Sequence, residues 1–293
     1  MSVYGTSAVR RLSKAQAEEL DTRLCAILAE EYPQSVRGMY YEALGAELVD
    51  KDQQNKRNNY MRIQRRLLKL RRAGIIPYGW ITDGSRTIYG HDRFDGPASF
   101  AQSVTGRYRK DYWADSPVRV EVWVEKDAMA GKLRPVVVEE CGLDLYVSRG
   151  FASETYLQEA GAFIRADGRP TYVYLLTDFD ASGMNIAETV ERELVKHARP
   201  VEVTVRRIAA TAEQIGEYGL ITQPVTRSDS RARKFVQKHG TETVELDAIP
   251  ANAVRRLVRE SVERHMDARR LEVLRMVEQE ERQGLVQLFG GAS

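Results

Sequence analysis

The chain has 293 residues, 43% hydrophobic and 29% charged, the balance of a globular protein with one large or two ordinary domains. Mean hydropathy is −0.45, and no uncharged apolar run reaches bilayer length, which excludes a transmembrane helix. The N-terminal MSVYGTSAVRRLSKAQ lacks the apolar core of a secretory signal. Two cysteines, Cys25 and Cys141, exclude a disulfide framework. With no CxxC or Cys/His cluster a zinc site is not expected, and a reducing cytoplasm is. Residues 1–110 hold 19 Lys+Arg against 12 Asp+Glu, or +7, and the remainder 25 against 30, or −5. A basic front suits a polyanion and an acidic back suits a divalent cation; random drift of surface charge is the competing explanation.

In chain order, residues 7–31 read as an amphipathic helix, with Leu12, Ala15, Leu20, Leu24, Ile27 and Leu28 near helical spacing and Pro33 as its stop. A second helix starts near Ser35. After the polar break DKDQQNKRNN comes a third, YMRIQRRLLKLRRAG, with Ile63, Leu67 and Leu70 at i, i+4, i+7 and Gly74 past its end. IIPYGWITDGSRTIYG reads as strand, turn and strand. Helices followed by a short ribbon fit a winged helix-turn-helix.

FDGPASFAQSVTGRYRKDYWADSP reads as a connection with a short helix. Beyond it the pattern changes. VRVEVWVEKD places Val118, Val120, Val122 and Val124 on one face of a strand. LDLYVSRG, TYVYLLTDFD and VEVTVRRIA are further strands, alternating with the helices FASETYLQEAGAFIR and ASGMNIAETVERELVKH. That alternation predicts an α/β fold with a mostly parallel sheet. Residues from Ala251 onward form a long charged helix or helix pair. The predicted domains are 1–112, an N-terminal helix plus winged helix, and 113–293, the α/β unit with C-terminal helices.

Asp178 and Asp180 lie two apart at the end of an apolar strand, which turns both carboxylates to one side. Ligands of open α/β sheets bind beyond the carboxyl ends of strands. Ser182 and Gly183 suit a tight turn into a helix. Paired carboxylates need a compensating charge, which Mg²⁺ supplies. Glu125, also ending an apolar strand, is the natural third ligand. The alternative is that one of the aspartates caps the next helix. The D-x-D lacks the following Thr of haloacid-dehalogenase-like enzymes, and GxxxxGK[ST], GxGxxG and HExxH are absent. The four histidines show no metal spacing.

Residues 55–72 contain no Asp or Glu. On that third helix Arg62, Arg65, Arg66, Lys69, Arg71 and Arg72 surround the apolar stripe, a pattern for DNA phosphates rather than a mixed-charge solvated face.

SVRGMYYEAL alone reads as two core aromatics beside an arginine. Taken in order, R-x-x-Y-Y, the basic helix, LRRAGIIPYGWITDGSR, a strand ending in Glu, V-S-R-G and D-F-D-A-S-G resemble the A subunit of topoisomerase VI and its relative, the meiotic double-strand-break transesterase. VELDAIPANAVRRLV also resembles that family, and the likeness runs from about Val36 to about Val262. It implies a winged helix bearing a catalytic tyrosine joined to a TOPRIM metal-binding domain. By position, Tyr41 matches the nucleophile, Tyr40 the aromatic before it and Arg37 the arginine. Gly38 stands where the family has an acid. Glu125, Asp178 and Asp180 match the TOPRIM acids and Gly150 the glycine between them.

The resemblance implies that Tyr41 attacks a DNA phosphodiester to give a 5′-phosphotyrosyl link and a free 3′-hydroxyl. A phenol is ionised to roughly one part in a thousand at neutral pH, and a nearby Arg37 would favour the phenolate. Glu125 serves either the metal or proton transfer. The implied partners are double-stranded DNA, a second copy of the chain in a homodimer whose centres draw nucleophile and metal from different protomers, and a separate ATPase subunit. A cytoplasmic, nucleoid-associated protein follows. The alternatives are a TOPRIM nuclease using activated water, and a non-catalytic DNA-binding relative.

Overall fold

A computed structural model of the chain describes residues 12–50, 56–82, 92–150, 152–225 and 231–290. Helix α1 (Lys14–Glu31) opens on a capping box in which Ser13 accepts from the Gln16 N–H and Gln16 accepts from the Ser13 N–H. It buries Leu20, Leu24 and Leu28. After the two-residue strand β1 (Gln34–Ser35), Ser35 caps α2 (Val36–Gly45) through the Gly38 N–H at 3.0 Å. Helix α3 (Lys56–Arg72) buries Ile63, Leu67 and Leu70, and Gly74 follows at φ +71°. These faces, with Met39, Tyr40, Tyr41 and Ile76, form one cluster.

Of the expected ribbon at 75–90, the described residues 75–82 are mostly not strand. Pro77–Trp80 is a turn, and β2 (Ile81–Thr82) pairs in parallel with β1. The second half of that ribbon lies outside the described residues, as do 51–55 of the polar break before α3; the KRNN end of that break is instead the first turn of α3. The short helix expected in the connection is α4 (Pro97–Arg107).

Strands β3 (Arg119–Val124), β4 (Leu145–Val147), β5 (Thr171–Leu176) and β6 (Val203–Ala209) form a four-stranded sheet, ordered β4-β3-β5-β6 and parallel throughout. The chain is therefore α/β, as its alternating pattern predicts. The crossover helices are α5 (Asp127–Arg134), α6 (Glu154–Asp167) and α7 (Ala181–Ala198). Val120, Val122 and Val124 pack with Met129 and Leu133 of α5. Trp123 packs on the opposite face with Leu157, Ile164 and Leu194. Both faces are covered, as parallel sheets require. The alternation in VRVEVWVE thus separates two cores rather than core from solvent. Glu121 is buried too, bonded to Arg119 (2.7 Å) and the Trp123 indole (2.8 Å).

Beyond β6 come α8 (Ala212–Glu217), β7 (Gln223–Pro224), α9 (Ala232–His239) and β8 (Glu242–Thr243), the two strands antiparallel. A 3-10 turn (Leu246–Ala248) leads into α10 (Ala251–Glu263) and α11 (Ala268–Gly290), the expected helix pair. α4 packs on α11, beside bonds from Tyr108 and Lys110 to Glu281 (2.6 and 2.8 Å). Among the described residues no helix is long and apolar enough to cross a membrane.

The helical N-terminal part seats on the sheet through α5. Lys132 of α5 is fully buried, and its ammonium donates to the carbonyls of Asp247 (3.1 Å) and Ile249 (3.4 Å). A Cβ on Gly38 would lie 2.7 Å from Gln34 Oε1 and 2.8 Å from Lys132 Cε. The position that carries an acid in the resembling family is here the gap into which a lysine fits. Gly38→Ala should therefore lower stability by about 1–3 kcal/mol. Gly45→Ala, in the same helix with nothing within 4 Å, should be neutral or stabilising. Urea unfolding of both variants reads the difference.

Candidate active site

Glu125 and the Asp178/Asp180 pair leave the carboxyl ends of adjacent strands, where Val124 is in register with Leu176. The Glu125 N–H donates to the Leu176 carbonyl (3.0 Å), and the Asp178 N–H donates to Glu125 Oε2 (3.2 Å). Gly150, at φ +90°, donates its N–H to the Glu125 carbonyl (3.0 Å). The sheet thus brings together the three acids and the glycine read from the sequence.

Asp180 is also the N-cap of α7, its Oδ1 accepting from the Gly183 N–H at 2.7 Å. The capping role is real for one of its oxygens. Gly183 is required here by space, because a Cβ would lie 2.2 Å from the Asp178 carbonyl oxygen. Burial and the neighbouring Asp178 push Glu125 up to about 7. Burial likewise raises Asp178.

Three hard carboxylates at strand ends, mutually repelling and partly desolvated, are the donor set a divalent cation neutralises. They are not drawn into a closed cage. Among the described residues, only Glu154, Glu193 and His197 bring three ligand atoms within 4.8 Å of one another. That cluster is a surface ion-pair group: Lys196 lies 2.8 Å from Glu193 and 3.7 Å from Glu154. At the strand ends a cation is already present. Lys126 Nζ lies 2.6 Å from Asp178 Oδ2, 3.5 Å from Glu245 and 3.6 Å from Asp247. Burial opposes its charge, but these three carboxylates outweigh it and hold the ammonium above its ordinary pKa.

Glu245 joins this group to the tyrosine. The segment carrying it is fixed beside β5 by the Phe179–Val244 bridge and by the Leu246 N–H, which donates to Asp178 Oδ1 at 2.8 Å. Glu245 forms an ion pair with Arg37 and a hydrogen bond with the Tyr41 hydroxyl, which also accepts from Gln223 Nε2 (3.3 Å). Tyr41 is 6% exposed. Its ring belongs to the helical core while its hydroxyl faces this polar network. Burial, then Glu245, raise its pKa far above that of a free phenol, and Arg37 lowers it by less. The arginine acts in the expected direction and is outweighed. Tyr41, Arg37, Glu245, Lys126, Asp178 and Glu125 form one connected network within a single chain.

Lys126, Glu245, Asp247 and Gln223 are absent from the sequence-derived set. Lys126 follows Glu125 directly, and Glu245 lies in VELDAIP. Each charge is visible in the sequence, but the partner that gives it meaning is more than fifty positions away.

The basic helix divides. Arg66 grips Asp21 of α1 through both carboxylate oxygens and bonds the Ala17 carbonyl (3.1 Å), so it ties two helices together instead of facing outward. Arg71 stacks on Tyr78 at 4.6 Å. Arg62 is half-buried, while Arg65, Lys69 and Arg72 are exposed. A cavity of about 190 Å³ opens between α7 and α9, bordered by Asn185, Glu188, Lys234 and Lys238 and by none of the three strand-end acids. A larger one, about 310 Å³, lies at the opposite end of the strands, where Arg119 and Arg169 are paired with Glu121 and Asp167.

No protein-family model and no curated protein matches this chain.

Glu125 holds its proton to a higher pH in the folded chain than the ordinary 4.5. The unfolded chain therefore loses it first, and stability falls as pH rises from about 4.5 to about 7, then levels. Glu125→Gln should be more stable than wild type by about 1–3 kcal/mol at pH 8 without added metal. The gain should vanish below pH 4.5. Denaturant melts across this range check it.

Proposed function

We propose that the chain is a DNA strand-cleaving transesterase of the topoisomerase VI A-subunit type, with a winged-helix part that supplies Tyr41 and a TOPRIM-type sheet that supplies Glu125, Asp178 and Asp180. The observation that carries this reading is the continuity from the Tyr41 hydroxyl through Glu245 and Lys126 to Asp178. Four segments far apart in sequence converge on one polar point.

In the proposed reaction Tyr41 Oη attacks a backbone phosphorus, and the 3′-oxygen leaves. Arg37, half-exposed on its side chain, would meet the non-bridging phosphate oxygens and stabilise the charge that develops there. Lys126 supplies a second fixed positive charge. Mg²⁺ held by Glu125, Asp178 and Asp180 would add Lewis-acid neutralisation of that charge. Arg65, Lys69 and Arg72 would hold flanking phosphates of double-stranded DNA. The covalent link conserves the energy of the broken bond, so rejoining needs no ATP at the chemical step. A homodimer would carry two such centres for two strands, each built from one chain's own tyrosine and acids where the resemblance implies centres shared between protomers, and strand passage would draw on a separate ATPase subunit. A cytoplasmic, nucleoid-associated location follows.

Burial of Tyr41 favours the second reading, a metal-dependent nuclease in which that residue is structural. Incubation with supercoiled DNA and Mg²⁺, quenched with denaturant, separates the two. Protein-linked 5′ ends that disappear in Tyr41→Phe and fall at least 10²-fold in Asp178→Ala support transesterification. Free 5′-phosphate ends that persist in Tyr41→Phe support hydrolysis. For the binding surface, joint alanine replacement of Arg65, Lys69 and Arg72 should weaken DNA binding and flatten its salt slope by about one unit for each phosphate no longer neutralised. Arg66→Ala should instead lower thermal stability.

A further inference from the structure

The Tyr41 hydroxyl is buried and accepts from Gln223 Nε2 at 3.3 Å, and burial with the adjacent Glu245 carboxylate raises its pKa above that of a free phenol, which is already protonated at neutrality. A nucleophile in that state needs an acceptor within hydrogen-bond reach. Of the acids at the site, Glu125, Asp178 and Asp180 are committed to the strand ends, and Asp247 is fully buried with neither oxygen hydrogen-bonded. Glu245 is the one placed at Tyr41: it pairs with Arg37, one helical turn before Tyr41 on α2, lies 3.5 Å from Lys126, and its carboxylate bonds the Tyr41 hydroxyl.

Resting on the transesterase reading, we infer that Glu245 is the general base that takes the phenolic proton of Tyr41. As Tyr41 Oη bonds to phosphorus, its proton passes to the Glu245 carboxylate. The P–O3′ bond breaks, and the departing 3′-oxygen, carrying the electron pair, takes a proton from water. The hydroxide left behind is neutralised by the proton that Glu245 then releases, so atoms and charge balance with water as the proton carrier. Arg37 holds Glu245 in place in the resting chain. A DNA phosphate arriving at Arg37 competes for that guanidinium and leaves the carboxylate freer to accept. Lys126, 3.5 Å away, stabilises the arrangement before transfer. The charged and titratable groups facing Glu245 are Arg37, Tyr40 and Tyr41 from α2, Lys126 after β3, Asp178 after β5 and Asp247 from its own turn.

The test is the single-turnover rate of covalent protein–DNA adduct formation with Mg²⁺ across pH 6–9, in wild type, Glu245→Gln and Glu245→Asp. Glu245→Gln should slow the reaction about 10²-fold or more. Its residual rate should climb about tenfold per pH unit, as the phenol must then ionise unassisted, while the wild-type profile is flatter. Glu245→Asp should retain an intermediate rate and the flatter profile, which decides the matter if the Gln variant does not fold. A Gln variant within about threefold of wild type, or an Asp variant as steep in pH as expected for Gln, overturns the assignment while leaving Tyr41 as nucleophile. Wild type that forms no tyrosine-linked DNA overturns the transesterase reading, and this role with it.

Discussion

One carboxylate is held from two directions. Glu245 meets Arg37 of the helical part on one side and Lys126 at the end of a sheet strand on the other. Partly desolvated charges are costly unless paired, so the two parts of the chain are held to the relative placement that pairs them. Buried Lys132, seated on backbone carbonyls beneath Gly38, imposes the same placement a few residues away. The Tyr41 hydroxyl inherits its position from this junction, for its ring is fixed in the helical core and its oxygen ends at the sheet.

The parallel sheet supplies the rest. Adjacent strands end in register at Val124 and Leu176, and the next residues are the acids. The chain then returns along 242–248, bridging Phe179 at Val244, and delivers Glu245 and Asp247 to the same edge. Negative charge gathers there in excess of the cations present; burial first and then the neighbouring Asp178 raise Glu125 toward neutrality, which prepares the edge for positive charge, whether ammonium, guanidinium or metal.

Local patterns are legible in the sequence wherever the physics is local. The Leu20–Leu24–Leu28 stripe, the Pro33 stop, the Gly74 terminus and the alternation of strands with helices all reappear in the fold. The acids at strand ends are legible because a parallel sheet exposes that edge. The 75–82 segment reads as strand but is mostly turn, since Ile75 and Ile76 suggest extension while Pro77 and Gly79 impose a reversal. Arg66 looks like its neighbours in sequence, and only the packing of α1 against α3 distinguishes it. Glu245, Lys126 and Gln223 gain their roles from partners distant in sequence, so no periodicity announces them. The helices α5, α8 and α9 are short and carry too few turns for a clear stripe.

The central claim is that the phenol of residue 41 forms a covalent bond to DNA. It is tested most directly by digesting the protein after a denaturant-quenched reaction with duplex DNA and Mg²⁺ and locating the modification by mass spectrometry. The account predicts a nucleotide 5′-phosphate on the peptide containing Tyr41 and on no other peptide. Cleaved DNA accompanied by an unmodified Tyr41 peptide would contradict it.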